Sequence, residues 1–377
     1  MAAAAGSRVV VIGGYARSLT LFRGPLLTAM IARGHRVTAM AADADPATTR
    51  ELVALGCDFE EIPLGRTSLD PRRDLHTLLH LRRRLRTLAP QAVFAYTIKP
   101  IIYGGLAARL AGVPRRYAMI TGLGYAFMGQ EQRRRRALAA LVARLYRLGL
   151  DGADAVFFQN PDDQRDLAAL GILDHVRHLQ QVRGSGVDVD AYAPAPLPAG
   201  PLRFLFAGRL LREKGFLEYV EMARRVRARH PDVRFDVLGR LDPNPTSFTT
   251  EELAAWKREG VIHHHGEVTD IRPFVAASHV LVLPSYREGT PRAVLEAMSM
   301  GRAAIVSDVP GCREVVVEGE TGFLVPPRDP AALADAAAKL IADPRRLASM
   351  AAHGRQRILE LYDARQVAAA MLTTMRL

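Results

Sequence analysis

Two carboxylates eight positions apart, Glu288 and Glu296, flank what the sequence makes a helix N-terminus. Upstream, the apolar run His279 to Leu283 predicts a buried parallel strand. Pro284 stops it and a polar turn follows. Thr290 is expected as N-cap, with Pro291 at the first helical position and Gly301 as the closing C-cap. A strand, a tight turn and a helix start gather unpaired amides at the positive end of the helix dipole, a place that suits a phosphate. A carboxylate can accept from two neighbouring hydroxyls, as a sugar or a ribose offers. A phosphate flanked by two polyols describes a nucleotide-sugar. The residues alone leave a second reading open, a βα unit with an exposed turn and a solvated Glu296.

The stretch from Pro284 to Gly301 resembles the E-x7-E motif of the family 4 retaining glycosyltransferases, whose fold is GT-B. Two further segments extend the likeness. Phe206-Ala207-Gly208-Arg209-Leu210-Leu211-Arg212-Glu213-Lys214-Gly215 is similar to that family's glycine, arginine and lysine element, and Asp308 to Glu314 followed by Gly319 to Val325 matches downstream. Three spaced elements in order are a specific signal, whereas one alone is weak. The resemblance implies that Glu288 holds donor-sugar hydroxyls and acts in catalysis, and that Glu296 holds the ribose diol. Arg209 and Lys214, with the amides of Gly289 and Thr290, would carry the growing charge of the diphosphate leaving group. Gly208 and Gly14 are placed on the donor side. No metal and no cofactor are expected. Asp43-Ala44-Asp45 and Asp188-Val189-Asp190 match a metal-binding Asp-x-Asp by letter, but neither ends a strand of the donor domain. His263, His264 and His265 are consecutive and on a strand would alternate sides, which disfavours a shared metal.

These residues must be positioned by a doubly wound α/β fold. Val9 to Ile12, Arg36 to Ala41, Ala92 to Tyr96, Arg116 to Ile120 and Ala155 to Gln159 are short apolar runs separated by helix-period segments. A second set follows at Leu202 to Ala207, Val233 to Leu238, Val261 to His264, Val280 to Leu283 and Ala303 to Val306. The fold class is therefore α/β with two Rossmann-like domains, which in GT-B face each other across a cleft. We place an acceptor-side domain at 1–190, a nucleotide-sugar domain at 191–358 and a final helix, 359–377, that by resemblance returns to the first domain. Asp188 to Gly200, rich in Pro and Ala, reads as the interdomain linker.

The first turn, Gly13-Gly14-Tyr15-Ala16-Arg17, is not a G-x-G-x-x-G, so a dinucleotide site is disfavoured. Ser18 to Leu27 resembles the opening helix of the same glycosyltransferase group. Ala95 to Gly104 and Ile120 to Tyr125 resemble signatures of a subgroup that extends undecaprenyl-diphosphate-linked sugars in bacterial glycan assembly. By that likeness Tyr96, Thr97, Lys99, Thr121 and Gly122 bind the acceptor. Many family members carry a histidine in an N-domain loop; here Thr121 and Gly122 stand in that region.

The chain has 377 residues, 49% hydrophobic and 24% charged, enough for two domains. Two distant cysteines, Cys57 and Cys312, argue for a reducing compartment. No signal peptide or membrane-spanning run is evident. The net charge of +12 is uneven, with 26 basic against 17 acidic residues in 1–190 and 25 against 22 in the remainder. Between Leu75 and Leu150 stand 14 basic residues and one acid, Glu131. Arg133, Arg134, Arg135 and Arg136 open an apolar helical stripe of Leu138, Leu141, Val142, Leu145 and Leu148. The segment Arg72 to Leu88 repeats the theme with Leu75, Leu78, Leu79, Leu85 and Leu88. An anionic membrane surface is the expected partner, with the protein peripheral on the cytoplasmic face of the membrane. The expected reaction moves a hexose or N-acetylhexosamine from a nucleotide-sugar, UDP by family habit, to a polyprenyl-diphosphate-linked sugar. A GT-B 2-epimerase of nucleotide-sugars is the alternative. Nucleic-acid binding is disfavoured, because aromatics make up 6% and no recognised motif is present.

Overall fold

The computed structural model describes residues 6–65, 70–123, 133–242, 244 and 246–377, apart from the side chains of 133–138. The chain forms two compact units. The first holds the chain to Ser185 together with Ala364–Leu377, and the second is Gly186–Asp363. The boundaries expected at 190 and 358 thus fall five residues earlier and five later.

In the first unit a parallel sheet of seven strands runs β3-β2-β1-β4-β5-β6-β7. Its strands are β1 (Arg8–Ile12), β2 (Arg36–Ala41), β3 (Asp58–Glu61), β4 (Ala92–Tyr96), β5 (Arg115–Ile120), β6 (Ala155–Phe158) and β7 (Leu179–Gln181). Helices α1 (Ala16–Ala32), α2 (Pro46–Ala54), α3 (Pro71–Leu88), α4 (Gly105–Ala111), α5 (Arg133–Leu150) and α6 (Pro161–Ala169) connect them, with a π-helical turn, Pro100–Gly104, ahead of α4. The central strands are buried on both faces, which is why they read as continuous apolar runs. One apolar cluster lies under α3, α4 and α5, and the other under α1. The last helix, α13 (Ala364–Met375), completes the second cluster with Met371, Leu372 and Met375 packed near Leu19, Leu26 and Met30.

The second unit has a six-stranded parallel sheet in the order β10-β9-β8-β11-β12-β13. These strands are β8 (Arg203–Ala207), β9 (Arg234–Leu238), β10 (His263–Gly266), β11 (Val280–Leu283), β12 (Ala303–Ser307) and β13 (Gly322–Val325). Its helices are α7 (Phe216–Arg227), α8 (Thr250–Glu259), α9 (Arg272–Ala276), α10 (Arg292–Ser299), α11 (Pro330–Ala342) and α12 (Pro344–Leu361). Strand order reverses between β1 and β4 in one sheet and between β8 and β11 in the other. Loops leaving the carboxyl ends of strands beside such a reversal form the crevice where doubly wound folds bind ligands.

The segment expected as a linker, 188–200, belongs wholly to the second unit. Val187 pairs with Asp363. Beyond it the segment is a strap fastened by two arginines. Arg302, 1% exposed, donates to the carbonyls of Ala195 and Pro196, and to those of Val275, Ala276, Met300 and Gly301. Arg355 donates to Val189 O, Tyr192 O and Ser299 O. Irregular backbone that packs against the unit takes such donors, because it has no ladder of its own.

Candidate functional site

Strand β11 delivers the turn 284–291 beside the loop that leaves β8. Four buried residues, Val-Leu-Val-Leu, end at Pro284, as the sequence predicts. The helix start differs by one residue from expectation. Pro291 is itself the N-cap (φ −75°, ψ 98°), and α10 begins at Arg292. Val294 and Leu295 make the first helical bonds, both to Pro291 O, so the amides of Arg292 and Ala293 lie ahead of them. At the far end Met300 is the C-cap, and Gly301 follows it at φ 73°.

Glu288 is gripped from two sides. Lys214 Nζ lies 2.5 Å from its Oε1, and Ser285 Oγ donates to the same oxygen at 2.7 Å. Lys214 closes a short 3-10 turn, Arg212–Lys214, after β8, so the ion pair joins the two loops at the reversal of strand order. The backbone repeats that link, for Tyr286 N donates to Glu213 O at 2.9 Å and Glu288 N to Pro310 O at 3.0 Å. Gly311 (φ 86°) allows the second approach, since a Cβ there would stand 2.5 Å from Glu288 O. Behind Glu288, the Cys312 thiol is pushed well above its ordinary pKa by burial first and then by the Glu288 charge. It is thus an inert core thiol.

Arg209 is half exposed and pairs with Asp242 at 3.2 Å. Burial works to raise the Asp242 carboxyl, but the Asn244 amide and then Arg209 hold it below its ordinary value. Gly208 donates its amide to Leu238 O. Arg209, Lys214, Glu288, Gly289 and Thr290 are therefore all carried by the two loops that flank one crevice of the second sheet.

Glu296 is not solvated. It is 6% exposed, and Arg292 Nε lies 2.5 Å from its Oε1, one helical turn back. A residue that sequence reasoning missed completes this group. Tyr192, on the strap, has its hydroxyl pushed up to about 12, first by burial and then by the Glu296 charge it is hydrogen-bonded to. Its own carbonyl accepts from Ser299 Oγ at 2.9 Å at the end of α10. An aromatic residue inside a Pro/Ala-rich stretch was the only available signal.

In the first unit the expected acceptor residues divide. Tyr96 does not face a ligand: it is 1% exposed, its hydroxyl lies 2.7 Å from Ser18 Oγ, and Arg23 stacks on its ring. It supports the first turn instead, since a Cβ on Gly13 would stand 2.4 Å from the Tyr96 hydroxyl. Gly14 neighbours Thr97 in the same way, with Thr97 Oγ1 3.0 Å from a Cβ placed there. Thr97 has φ 69°, an outlier for a β-branched residue that costs about 1–3 kcal/mol. That strain sits at the end of β4, beside the reversal of the first sheet. Lys99 is ion-paired to Asp74 of α3 at 2.6 Å, and Tyr103 donates to the same carboxylate at 2.7 Å. Burial and then Asp74 raise the Tyr103 hydroxyl. Thr121 and Gly122 (φ 124°) follow β5 and are partly exposed, while Gly124, Tyr125 and Glu131 lie outside the described residues.

Among the described residues no three His, Cys, Asp or Glu side chains gather as a metal site would need, and one carboxylate of each Asp-x-Asp is engaged by backbone amides. Asp45 caps α2 through the amides of Ala47 and Thr48, and Asp188 accepts from the amides of Asp190 and Ala191. His264 and His265 bond separately, to Gly239 O and to Asp236.

Comparison with known proteins decides the family. Residues 23–181 match the glycosyl transferase 4-like domain, and residues 201–343 match the glycosyl transferases group 1 domain, most of the chain between them. The chain belongs to the family 4-like, group 1 glycosyltransferases. It is an enzyme that transfers a glycosyl group, and its fold is GT-B. It is 25% identical over 359 residues to the N,N'-diacetylbacillosaminyl-diphospho-undecaprenol α-1,3-N-acetylgalactosaminyltransferase of Campylobacter jejuni, covering 92% of each chain. It is 28% identical to the UDP-Gal:α-D-GlcNAc-diphosphoundecaprenol α-1,3-galactosyltransferase of Escherichia coli, over 67% of each. Among solved structures, Anabaena HepE with UDP-glucose superposes at a TM-score of 0.78 with 17% identity, over 98% of this glycosyltransferase and all of that chain. Sucrose-phosphate synthase from Thermosynechococcus elongatus gives 0.78 with 19% identity, over 98% of each. The E-x7-E resemblance read from the sequence is therefore borne out at the level of family and fold.

The basic helices of the first unit divide as well. Leu85 is buried, and Leu78, Leu88, Val142 and Leu145 pack on the core, so neither stripe is wholly a surface feature. Leu75 and Leu79 of α3, Leu110 of α4, and Leu141 and Leu148 of α5 are exposed. Helix α4 packs against both α3 and α5. Arg84, Lys99 and Arg109 are ion-paired, and Arg115, Arg116 and Arg147 donate to backbone carbonyls. Arg83, Arg86 and Arg144 remain exposed beside the leucines. The side chains of Arg133, Arg134, Arg135, Arg136 and Leu138 lie outside the described residues. Among the described residues no helix is long and apolar enough to cross a membrane.

Proposed function

We propose that the enzyme moves a hexose or N-acetylhexosamine, with retention, from a nucleotide diphosphate sugar to a polyprenyl-diphosphate-linked sugar. The observation that carries the donor half is the Lys214–Glu288–Ser285 group, held at the reversal of the second sheet just ahead of the start of α10. The diphosphate sits at that helix start, with Lys214 and Arg209 taking the charge that grows as the glycosidic bond breaks. Glu288 then takes donor-sugar hydroxyls and Glu296 the ribose diol. Lys214 and Arg209 stand in for a divalent ion, so transfer is independent of metal. UDP is the favoured nucleotide, supported by the UDP-sugar named for the Escherichia coli relative and the UDP-glucose bound to HepE.

The acceptor half rests on the undecaprenyl-diphosphate sugars named for two relatives. Those names favour transfer over 2-epimerisation. Such a lipid requires docking at a membrane, and the exposed leucines and arginines of α3, α4 and α5 suit an anionic leaflet. The protein is then peripheral on the inner face of the cytoplasmic membrane. One assay tests the reading: nucleotide release across a panel of UDP- and GDP-sugars, with and without a lipid-diphosphate-sugar. Release that depends on the acceptor is expected. Consumption without any acceptor would return the 2-epimerase.

A further inference from the structure

The amino ends of β8, β9 and β10 hold a second concentration of positive charge, at the opposite edge of the sheet from Glu288. Arg203 opens β8, Arg234 opens β9, and the two are register partners in adjacent parallel strands. Their side chains therefore leave the same face side by side. Arg227, from the end of α7, lines the same hollow, whose volume is about 460 Å³, and His263 of β10 stands at its rim. Among the described residues neither Arg203 nor Arg234 has a carboxylate within ion-pair distance. Arg227 donates to Gly260 O, and its Nε is buried without a hydrogen-bond partner. Asp232, the one carboxylate lining the hollow, pairs with none of the three.

Like charges placed directly opposite on neighbouring strands are destabilising, and an orphaned guanidinium nitrogen adds to that cost. The repulsion is relieved if an anion bridges the three guanidinium groups, whose planar forks suit phosphate oxygens. The volume is that of a small-molecule site. We propose that Arg203, Arg227 and Arg234 form a binding site for a phosphorylated group, separate from the donor crevice by the length of the sheet. The group is either a free diphosphate-bearing metabolite or a phospholipid headgroup, which share this chemistry.

The test is calorimetric titration of the full chain with pyrophosphate, in the presence of saturating UDP so that the donor crevice is filled. One pyrophosphate per chain is expected. In Arg203→Ser/Arg234→Ser binding falls at least tenfold, while UDP affinity is unchanged. Without ligand this double variant melts no lower than wild type, because a repulsion has been removed, and pyrophosphate raises the melting temperature of wild type only. Soluble dihexanoyl phosphatidate is titrated in parallel. Binding of pyrophosphate alone assigns a free ligand, and binding of phosphatidate alone assigns a headgroup. If neither binds under UDP, or the double variant binds as wild type does, the site does not exist.

Discussion

Glu288 shares one carboxylate oxygen between Lys214 and Ser285, so replacing it has two separable effects. Glu288→Ala leaves the Lys214 ammonium half-buried and unpaired. Glu288→Gln keeps an acceptor for both donors but removes the charge. If the carboxylate holds sugar hydroxyls in the transition state, both variants lose at least about 10²–10³-fold in kcat, as removing a preorganised polar group does elsewhere. Turnover by folded Glu288→Gln at the wild-type rate refutes the role. Tyr192 and Arg292 act one step back, by fixing the Glu296 carboxylate. Tyr192→Phe deletes one hydrogen bond to a charged group, worth about 1.5–3 kcal/mol. Its expected result is a higher donor KM, by about 3–10-fold when part of that energy is recovered, with kcat unchanged. A fall in kcat at constant KM would show that Tyr192 acts on the reacting centre. If Arg209 and Lys214 take the place of a metal, as proposed, EDTA leaves turnover intact; loss in EDTA that Mg²⁺ restores would refute the metal-free reading.

At the level of elements, legibility followed burial. Strands β1, β4, β8, β11 and β12 are enclosed on both faces and announced themselves as apolar runs. The edge strands β3 and β7 did not. β3 reads Asp-Phe-Glu-Glu and β7 Leu-Gln-Gln, because an edge pairs on one side and keeps polar residues toward water. β10, another edge, starts at His263, two residues after the expected Val261. The strap was misread as a linker because long-range donation from Arg302 and Arg355 leaves no local period. Glu296 and its helix were legible from spacing, whereas Tyr192 was not, since nothing local ties it to Glu296. Buried histidines at the edges of both units give a pH prediction. Nδ1 of His35 accepts the Ser7 amide, and Nδ1 of His279 accepts the Arg203 amide, so both imidazoles are held neutral. Burial lowers each pKa from 6.5, helped by Arg115 and Arg33 at His35, while at His279 Arg302 and Arg203 add to burial against the Pro198 carbonyl. The unfolded chain then binds more protons below 6.5, so this stabilisation is complete above 6.5 and is lost as pH falls toward the lowered folded values. Urea midpoints should drop between pH 7 and pH 5.5, and NMR titration should find both rings neutral at pH 6.5. A ring already protonated there refutes the assignment.

At the scale of the whole molecule, charge is the property that fold alone does not explain. The first half carries most of the +12, yet Arg84, Lys99, Arg109, Arg115, Arg116 and Arg147 are engaged inside the protein. Arg83, Arg86 and Arg144 are left at the surface, set among Leu75, Leu79, Leu141 and Leu148 on helices joined through α4. Isolated exposed leucines are ordinary, but leucines interleaved with exposed arginines that have no ion-pair partner among the described residues have the composition of an interfacial surface. Each arginine contributes about 1 kcal/mol at an anionic leaflet within a Debye length. Removing three should then weaken binding by about 100-fold at low salt. We expect the enzyme to co-sediment with phosphatidylglycerol vesicles and to be released by high salt. Arg83→Ser/Arg86→Ser/Arg144→Ser should show that loss while keeping nucleotide release with a soluble acceptor. Leu75→Asp/Leu79→Asp should abolish binding even in low salt, because the apolar contact goes and negative charge is added. Equal binding to neutral and anionic vesicles would assign the surface to something other than a charged leaflet, and wild-type binding by the triple arginine variant would remove these helices from the docking face.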